Sequence, residues 1–316
     1  MIADARLSKS DVWLLAMVTL SWGLSFPIIK YAVTSYPPLA FRTICLVIGV
    51  VFLGFYLLRQ NESLQVPRSQ WWSLLKIVFV TMTLWQIGLI YGVKLLNGGR
   101  AAIIGYTFPV WALIGSIVFY KAPFTWRSVL GVAFALGATA LLALSDLDRF
   151  LERPVGILVM LSAAMAWGFG TAITRHTPVT ISNPVLAQWS MIITLIVFVP
   201  LTIVFEHAAW RVPTFGETLA MLYSGIVTFV FCYVVWFKLS RKLPAAVSGL
   251  SIMLVPVIGV ISSALFFSEH VTGADLVALV MIVLSMIIVL RAQKTPVPST
   301  DGVVVKDEQV LRNSNR

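Results

Sequence analysis

The sequence predicts an all-α integral membrane protein whose ten transmembrane helices form two inverted five-helix repeats. Composition gives the first indication, because 59% of the 316 residues are hydrophobic and only 11% are charged, against about 25% charged residues in an average soluble domain. The second indication is the length of the uncharged stretches, since a spanning helix needs about 20 apolar residues. The third is an internal repeat, which predicts the arrangement of the two halves.

Ten apolar windows follow one another along the chain. They cover residues 12–30, 38–58, 71–93, 101–120, 127–145, 155–174, 184–205, 215–237, 245–267 and 272–290. Only helices and closed barrels satisfy every backbone group in lipid, and barrel strands alternate polar and apolar residues with a period of two. Because these windows are continuously apolar, we predict helices, with little chain left for a soluble domain.

The loop charges predict the orientation of the protein. Assigned in alternation, and before Lys306, Arg312 and Arg316 of the tail are counted, thirteen Lys and Arg residues fall on the side that carries both termini and seven on the other side. The positive-inside rule then places both termini in the cytoplasm and the chain in the cell inner membrane. We predict a cytoplasmic N-terminus at residues 1–11 and a disordered cytoplasmic tail at residues 293–316. The net charge of +10 is explained by these loops, so no nucleic-acid partner is expected.

A ten-residue phrase occurs twice in the chain, 145 positions apart. The segment SWGLSFPIIK at 21–30 aligns without a gap with AWGFGTAITR at 166–175. Two longer alignments support it, of 38–50 with 184–196 and of 101–116 with 245–260. We therefore predict one five-helix repeat at 12–145 and a second at 155–290. An odd number of spans turns the second repeat upside down, an arrangement typical of secondary transporters that bind substrate near the midplane.

The charges at one corner of each repeat agree with this inversion. Residues 120–129 end the fourth span on the predicted inner side and carry Lys121 and Arg127. Their counterparts at 268–277 end the ninth span on the outer side and carry Glu269 and Asp275. The same corner thus has bases inside and acids outside, as the positive-inside rule predicts for an inverted pair.

These motifs together resemble the EamA family of the drug/metabolite transporter superfamily. The resemblance covers about residues 11–290 and lies in the order of a WGxxFxxIK-like first helix, PPLxxR at the second and AAxxxxxxPVxAxxxS phrases later. It implies a 5+5 inverted fold and efflux or exchange of small metabolites, often amino acids or related compounds. It also implies a central cavity lined mainly by helices 1, 3, 4, 6, 8 and 9. The sequence departs from the family at Lys121, where an acidic residue is typical.

Aromatic residues deep inside the spans are the first candidates for substrate binding. Trp22 lies eleven residues past Asp11 and Trp167 thirteen past Pro154, so at 1.5 Å per residue they lie about 16 Å and about 20 Å into their helices. Interfacial aromatic belts lie near the headgroups, so both residues either line a cavity or pack helices together. Trp85 and Tyr106 are the other predicted members of an aromatic wall.

Polar residues and prolines complete the predicted site. Gln86 could orient a substrate carboxylate or amine, or else bridge two helices, and Ser251 is the second predicted polar contact. Three prolines inside spans each remove a backbone hydrogen bond and predict helix kinks; they are Pro27, Pro109 and Pro256.

Three further residues receive a structural interpretation. Arg42 lies only four residues past Pro38, so we expect its side chain to extend outward as an anchor or an inter-helix bond. Tyr233 and Trp236 lie towards the inner end of the eighth span, which favours an aromatic-belt role over substrate binding.

Several chemistries are not indicated by the sequence. The carboxylates Asp11, Glu206 and Glu269 all lie at span ends, so a proton relay through a mid-span acid is not supported. Cys45 and Cys232 lie in separate spans and indicate neither a disulfide nor a metal site. No P-loop or HExxH motif is present. We expect no cofactor and no enzymatic activity.

The resulting prediction is a carrier of small polar or amphipathic metabolites that works by alternating access. Amino acids or related amine and carboxylate compounds are the favoured substrates, and export is the favoured direction. Its expected partners are the lipid bilayer and the small-molecule substrate, with a homodimer also allowed by the small residues at 131–140. The alternatives are a nucleotide-sugar or other metabolite exchanger, a non-transporting scaffold or receptor, and an intramembrane enzyme acting on a lipid.

Overall fold

A computed structural model of the chain describes residues 9–145, 154–177, 179–240 and 245–292. At residues 237, 240, 245–251 and 290–292 it describes the backbone only. The predicted tail at 293–316 lies outside the described residues, as do residues 1–8 of the predicted N-terminal segment.

The described residues contain helices and no strand. The helices are α1 (Lys9–Ser35), α2 (Pro38–Arg59), α3 (Arg68–Leu95), α4 (Gly98–Tyr120), α5 (Trp126–Leu144), α6 (Val155–His176), α7 (Asn183–Glu206), α8 (residues 215–240), α9 (Ala245–Phe267) and α10 (Gly273–Ala292). Helices α1 to α8 each provide a stretch long and apolar enough to cross a membrane. In α9 and α10 the fully described apolar stretches are shorter, Ile252–Phe267 and Gly273–Val289. The all-helical fold is thus confirmed, with eight candidate spans and two shorter apolar helices.

Local sequence signals explain where several helices begin and end. Thr125 begins α5 with a capping box in which its hydroxyl and that of Ser128 bond each other's backbone N–H, and Thr214 forms the same motif with Glu217 at α8. Proline occupies the first turn of α2 and of α7, where its missing N–H is not needed. Lys121 ends α4 in the left-handed conformation, with a φ of 56°.

Three helices are interrupted near their middles. A π-helical segment, Phe79–Leu84, lies inside α3, and another, Tyr223–Phe231, lies inside α8. Helix α4 consists of two pieces, Gly98–Gly105 and Phe108–Tyr120, separated by a turn. Sequence reasoning anticipated neither π segment, and such segments occur frequently at functional sites.

The three predicted kink positions differ in their local structure. Pro109 lies in the first turn of the second piece of α4, directly after the break. Pro27 lies inside α1 and Pro256 inside α9, and both helices continue on either side. The start of α4 packs closely against Pro27, since a Cβ on Gly98 would lie 3.1 Å from the Pro27 Cα.

Helix packing follows a two-fold pattern. Helix α1 packs against α9 as α4 packs against α6, and α8 packs against α1 as α3 packs against α6. Helix α2 also packs against α7, α5 against α10 and α4 against α9, and α2 packs against α8 as α7 packs against α3. Exchanging each helix for the one five positions along the chain leaves this set of pairs unchanged. The pattern is the one that two related five-helix halves would produce.

The glycine of the repeated phrase occupies equivalent positions in the two halves. A Cβ on Gly23 would collide with Ile258 of α9. A Cβ on Gly168 would lie 2.5 Å from the Phe108 carbonyl oxygen of α4 and equally close to Trp111. The repeated glycine therefore allows close helix contact between α1 and α9 and between α6 and α4. This close contact accounts for the Gly that follows each Trp of the repeat.

One end of the bundle, which we call the acidic end, contains Glu206, Glu217, Glu269 and Asp275. Glu206 accepts hydrogen bonds from the backbone N–H groups of Leu39 and Ala40, at 3.1 and 2.8 Å. Glu269 accepts from Gly98 and Gly99 in the same way, at 2.8 and 3.2 Å. The two carboxylates thus hold the N-termini of α2 and α4, where the helix dipole favours negative charge.

The other two acids of this end form ion pairs. Asp275 accepts a hydrogen bond from Arg100 Nε at 2.7 Å. Glu217 pairs with Arg211 and also accepts from the Ser35 hydroxyl at 2.8 Å. All four acids of the acidic end are therefore bound by basic side chains or backbone donors, and these bonds connect different helices.

Candidate substrate-binding site

Aromatic side chains from four helices meet in the middle of the bundle. We call Phe26, Trp85, Tyr106, Phe108 and Trp167 the central aromatic cluster. The ring centroids of Trp85 and Trp167 are 5.3 Å apart, and Phe108 lies 6.3 Å from Trp167 and 5.6 Å from Tyr106. Phe26 of α1 continues the series at 6.1 Å from Tyr106. Three of the residues predicted for the aromatic wall therefore lie together, with both halves contributing.

Trp22, the fourth predicted aromatic residue, belongs to a neighbouring cluster between α1 and α8. Its ring lies 5.5 Å from Trp236 and 6.5 Å from Tyr233, and Phe229 lies 6.5 Å from Tyr233. Tyr233 and Trp236 thus pack onto α1, a contact that the sequence did not predict. Periodicity along one helix could not reveal this, because the packing depends on the position of α1.

A single methionine connects Gln86 to this second cluster. The Gln86 Nε2 lies 3.6 Å from the Met82 sulfur, and the Tyr233 hydroxyl lies 3.9 Å from the same sulfur. Gln86 is 3% exposed, and its Oε1 has no hydrogen-bond partner among the described residues. The Gln86 amide donates to a residue of its own helix, and its carbonyl oxygen is left as a buried acceptor. A buried acceptor destabilises the fold unless another group donates a hydrogen bond to it.

The structure overturns the expectation for Arg42. Its side chain is 1% exposed and does not reach the surface. The guanidinium lies over two aromatic rings, 5.8 Å from the centroid of Phe41 and 5.5 Å from that of Phe229. Its Nε and Nη2 have no hydrogen-bond partner in the described part of the chain. Sequence depth along α2 was misleading because α8 covers this face of the helix.

The close approach of α8 to α2 has a visible cause. A Cβ on Gly225 would lie 2.6 Å from Ile48 and 3.1 Å from the Cys45 carbonyl oxygen, so only glycine allows this spacing. Gly225 lies in the π segment of α8, which also contains Phe229. The π segment thus places an aromatic ring over a buried cation, and sequence signals for it are weak.

Ser251, the two cysteines and the possible metal ligands remain to be located in the structure. Ser251 lies in α9, where its side chain is outside the described residues. Cys45 and Cys232 are buried free thiols. Within the described ranges, no group of three or more His, Cys, Asp or Glu side chains could hold a metal ion.

The geometry is that of a polytopic helical membrane protein with an aromatic interior, and comparison with known proteins identifies its family. The sequence model of the EamA-like transporter family matches residues 9–144 and again residues 154–291. The chain therefore belongs to the EamA-like transporter family and is an integral membrane transporter.

Named relatives are similar over most of their length. The chain is 26% identical to a probable amino-acid metabolite efflux pump of Salmonella typhimurium, over 89% of this chain and 95% of that protein. It is 24% identical to the uncharacterized transporter YoaV of Bacillus subtilis, over 81% and 88%. It is 22% identical to a probable terminal-alkyne amino-acid exporter of Streptantibioticus cattleyicolor, over 84% and 87%.

A solved crystal structure of a protein shares the fold. It matches with a TM-score of 0.63 at 17% sequence identity and covers 92% of this chain and 99% of that chain.

Proposed function

We propose that the protein exports small amphipathic metabolites of the amino-acid type across the cell inner membrane by alternating access. The observation that carries this proposal is the central aromatic cluster, in which Trp85 and Trp167 from different halves lie 5.3 Å apart. A site shared by two halves changes its exposure when one half rocks against the other. Aromatic walls suit an apolar solute body, and the buried amide of Gln86 suits a polar group.

In this proposal all ten helices span the membrane, in two inverted halves at 12–145 and 155–290, with both termini in the cytoplasm. The two-fold pattern of helix pairs and the double family match support the halves. The basic residues on the side of the termini support the orientation. The acidic end then faces away from the cytoplasm. Export and amino-acid-type substrates are supported by the names of the Salmonella and Streptantibioticus relatives.

The two ends of the bundle are held differently, and this supports a direction for the first opening step. At the acidic end, Glu206 and Glu269 each hold a helix start with two hydrogen bonds. At the opposite end the corresponding corner of α2 carries the exposed Glu62, which only accepts a 3.4 Å contact from the Ser182 hydroxyl. The corner of α4 there carries Lys121 in place of an acid. In our proposal the cytoplasmic end opens first and admits the solute.

A homodimer remains a prediction. The small residues that suggested it make a contact between two helices of the same chain. The small residues at 131–140 pack onto α10, where a Cβ on Gly131 would lie 2.6 Å from Val289. The Ser285 hydroxyl also donates a hydrogen bond to the Gly131 carbonyl at 2.6 Å. The close contact that these residues allow is made within one chain.

Counterflow in proteoliposomes tests the proposed function. Vesicles loaded with one unlabelled metabolite are given its labelled form outside, and we expect transient accumulation for amino acids of apolar side chain but not for a nucleotide sugar. The control is the double variant Gly168→Leu with Trp167→Ala, which disrupts α4–α6 packing and the aromatic wall. Equal leak for wild type and control across the panel would contradict transport and favour a non-transporting scaffold.

A further inference from the structure

We infer that the buried guanidinium of Arg42 binds the carboxylate of the transported solute. The inference rests on the proposed transport function and narrows its substrate class to carboxylates with an apolar body, among which amino acids are the natural case. Nothing in the sequence of α2 indicates this role, because Arg42 lies close enough to the helix start to be mistaken for a surface anchor.

Among the residues that the structure describes, no carboxylate is paired with the buried guanidinium of Arg42. Arg42 is 1% exposed, and its contacts are the rings of Phe41 and Phe229. The four carboxylates of the acidic end are already bound by Arg100, by Arg211 or by backbone N–H groups. A cation in the membrane interior is costly unless it is paired, so an anionic group on the solute would offset the cost of burying Arg42.

The unpaired atoms of Arg42 are suited to a carboxylate. Nε and Nη2 of Arg42 are the two without partners, and they lie along one edge of the planar guanidinium. That edge presents two parallel N–H donors at the spacing of a carboxylate, which is the bidentate arrangement that makes arginine selective for this group. A guanidinium serving only to pack against aromatic rings would not require this particular edge to be free.

Arg42 lies beside the aromatic residues of α1 and α8. The guanidinium lies 5.5 Å from the Phe229 centroid, the Phe229 ring lies 6.5 Å from that of Tyr233, and Tyr233 packs against Trp22. A solute whose carboxylate bonds Arg42 would therefore place its apolar body against the rings of α1 and α8. These rings supply dispersion and, for an aromatic solute, edge-to-face contacts.

A complementary acceptor exists for the ammonium group of an amino acid. Gln86 Oε1 is buried without a partner in the described residues, and its amide shares the Met82 sulfur with Tyr233. Arg42 thus presents a pair of donors, and Gln86 an acceptor, that have no partner among the described residues. This polarity matches a zwitterion, which has one anionic and one cationic group.

The alternative is that Arg42 only packs helices, held by its aromatic neighbours through cation–π contacts. The two roles differ in what they predict for a solute that lacks the carboxylate. If Arg42 only packs helices, its replacement should weaken the binding of every solute alike. If it binds the carboxylate, its replacement should weaken only the binding of solutes that have a carboxylate. Phenylalanine, phenylalaninamide, leucine and leucinamide form the panel that separates them.

The test combines binding to purified protein with counterflow, for wild type, Arg42→Gln and Arg42→Lys. Binding is followed by isothermal titration calorimetry in detergent, so it does not depend on transport. We expect Arg42→Gln to bind the free amino acids about 10- to 100-fold more weakly, the effect of losing charge-assisted hydrogen bonds, and to bind the amides as well as wild type does. Arg42→Lys keeps the positive charge but cannot form the bidentate pair. Its affinity for the free amino acids should lie between those of wild type and Arg42→Gln.

The matched control is Arg59→Gln on the same helix. Arg59 also lies over an aromatic ring, at 4.4 Å from the Phe55 centroid, but at the exposed end of α2. We expect it to leave binding of all four solutes unchanged. Elution volume and unfolding temperature of each variant show whether it is folded, and Arg42→Lys provides a charge-retaining variant if Arg42→Gln is unfolded.

The outcomes separate the two proposals. Free amino acids bound equally by wild type and Arg42→Gln, or acids and amides weakened alike in folded variants, would overturn the role of Arg42 and leave transport standing. Carboxylate-selective binding that depends on Arg42, without counterflow, would support the role of Arg42 and overturn the transport proposal. Wild type that neither binds nor moves any of the four solutes would overturn both.

Discussion

The acidic end and the interior around Arg42 treat buried charge in opposite ways. At the acidic end, Glu217 is 2% exposed and is neutralised by Arg211 and hydroxyl and backbone donors. In the interior, Arg42 is at least as buried and lies over two aromatic rings, and its Nε and Nη2 have no hydrogen-bond partner among the described residues. The chain thus contains suitable partners for charges and uses them where helices must be held. The proposed binding of a solute carboxylate by Arg42 would explain why this cation differs from the charges of the acidic end.

Replacing Glu217, the acid with the most hydrogen-bond partners of the acidic end, should produce the largest effect on stability. Glu217→Gln removes the charge that pairs with Arg211 and weakens the capping box of Thr214 at the start of α8. We expect the free energy of unfolding in detergent to fall by about 3 kcal/mol, as for a buried carboxylate that loses charged hydrogen bonds. Denaturant titration measures it.

The control for this prediction is a double-mutant cycle with Arg211→Gln. If Glu217→Gln lowers the free energy of unfolding as much in the Arg211→Gln background as in wild type, the ion pair contributes nothing to stability. The acidic end would then not differ from the surroundings of Arg42 in this respect.

The two helix-capping acids should each have a smaller and similar effect. Glu206→Gln and Glu269→Gln keep the shape of the side chain but weaken its bonds to the N-termini of α2 and α4. We expect each to lower the free energy of unfolding by about 1–2 kcal/mol, from charged hydrogen bonds and the helix dipole. The same titration applies, with Glu62→Gln as the exposed control, expected within about 0.5 kcal/mol of wild type.

The capping variants should also loosen the acidic end. A cysteine introduced at Thr34 should react faster with a water-soluble maleimide when Glu206 is replaced by Gln than in the otherwise wild-type chain. An unchanged labelling rate would show that this carboxylate does not hold the end closed.

Removing the unpaired charge should change stability in the opposite direction. Arg42→Met keeps an unbranched apolar stem and removes a buried cation that has no counter-ion among the described residues, so we expect the free energy of unfolding to rise by about 1 kcal/mol while binding of free amino acids is lost. A loss of stability of the size expected for Glu217→Gln would mean that Arg42 is structurally paired, and the contrast between the two regions would not hold.

The smallest effect on stability is expected at Gln86. Gln86→Leu removes an amide whose carbonyl oxygen is unsatisfied, so the free energy of unfolding should change by less than about 0.5 kcal/mol. Affinity for an amino acid should fall about 10-fold, because the acceptor for its ammonium group is gone. Calorimetric titration with phenylalanine measures the second effect, and unchanged affinity in folded protein would remove Gln86 from the site.

Several features of the fold could be predicted from residue order alone. Long uncharged windows predict helices because lipid offers no hydrogen bonds to the backbone, and the structure has helices over all ten windows. The repeated Trp-Gly phrase marks equivalent positions, and Trp167 indeed packs beside Trp85. Helix starts at Thr125 and Thr214 follow from local capping chemistry. These signals are local or periodic, so they survive without knowledge of neighbours.

The pairing state of polar groups required the tertiary structure. Whether Arg42 extends outward or lies buried depends on α8, which follows about 190 residues later and approaches through Gly225. For the same reason, the contacts of Tyr233 and Trp236 with α1 were not predicted. The two π segments leave no reliable trace in hydropathy, since they alter the helix register without altering composition.

Sequence by itself determined the class of protein, because the free energy of placing each segment in lipid is nearly a sum over its own residues. It also determined the repeat, and with it which helices are equivalent. Only the tertiary structure decided which acids are paired and which cation is not. Burial and pairing depend on groups contributed by distant segments, so they are properties of the packed bundle and cannot be read from any one helix.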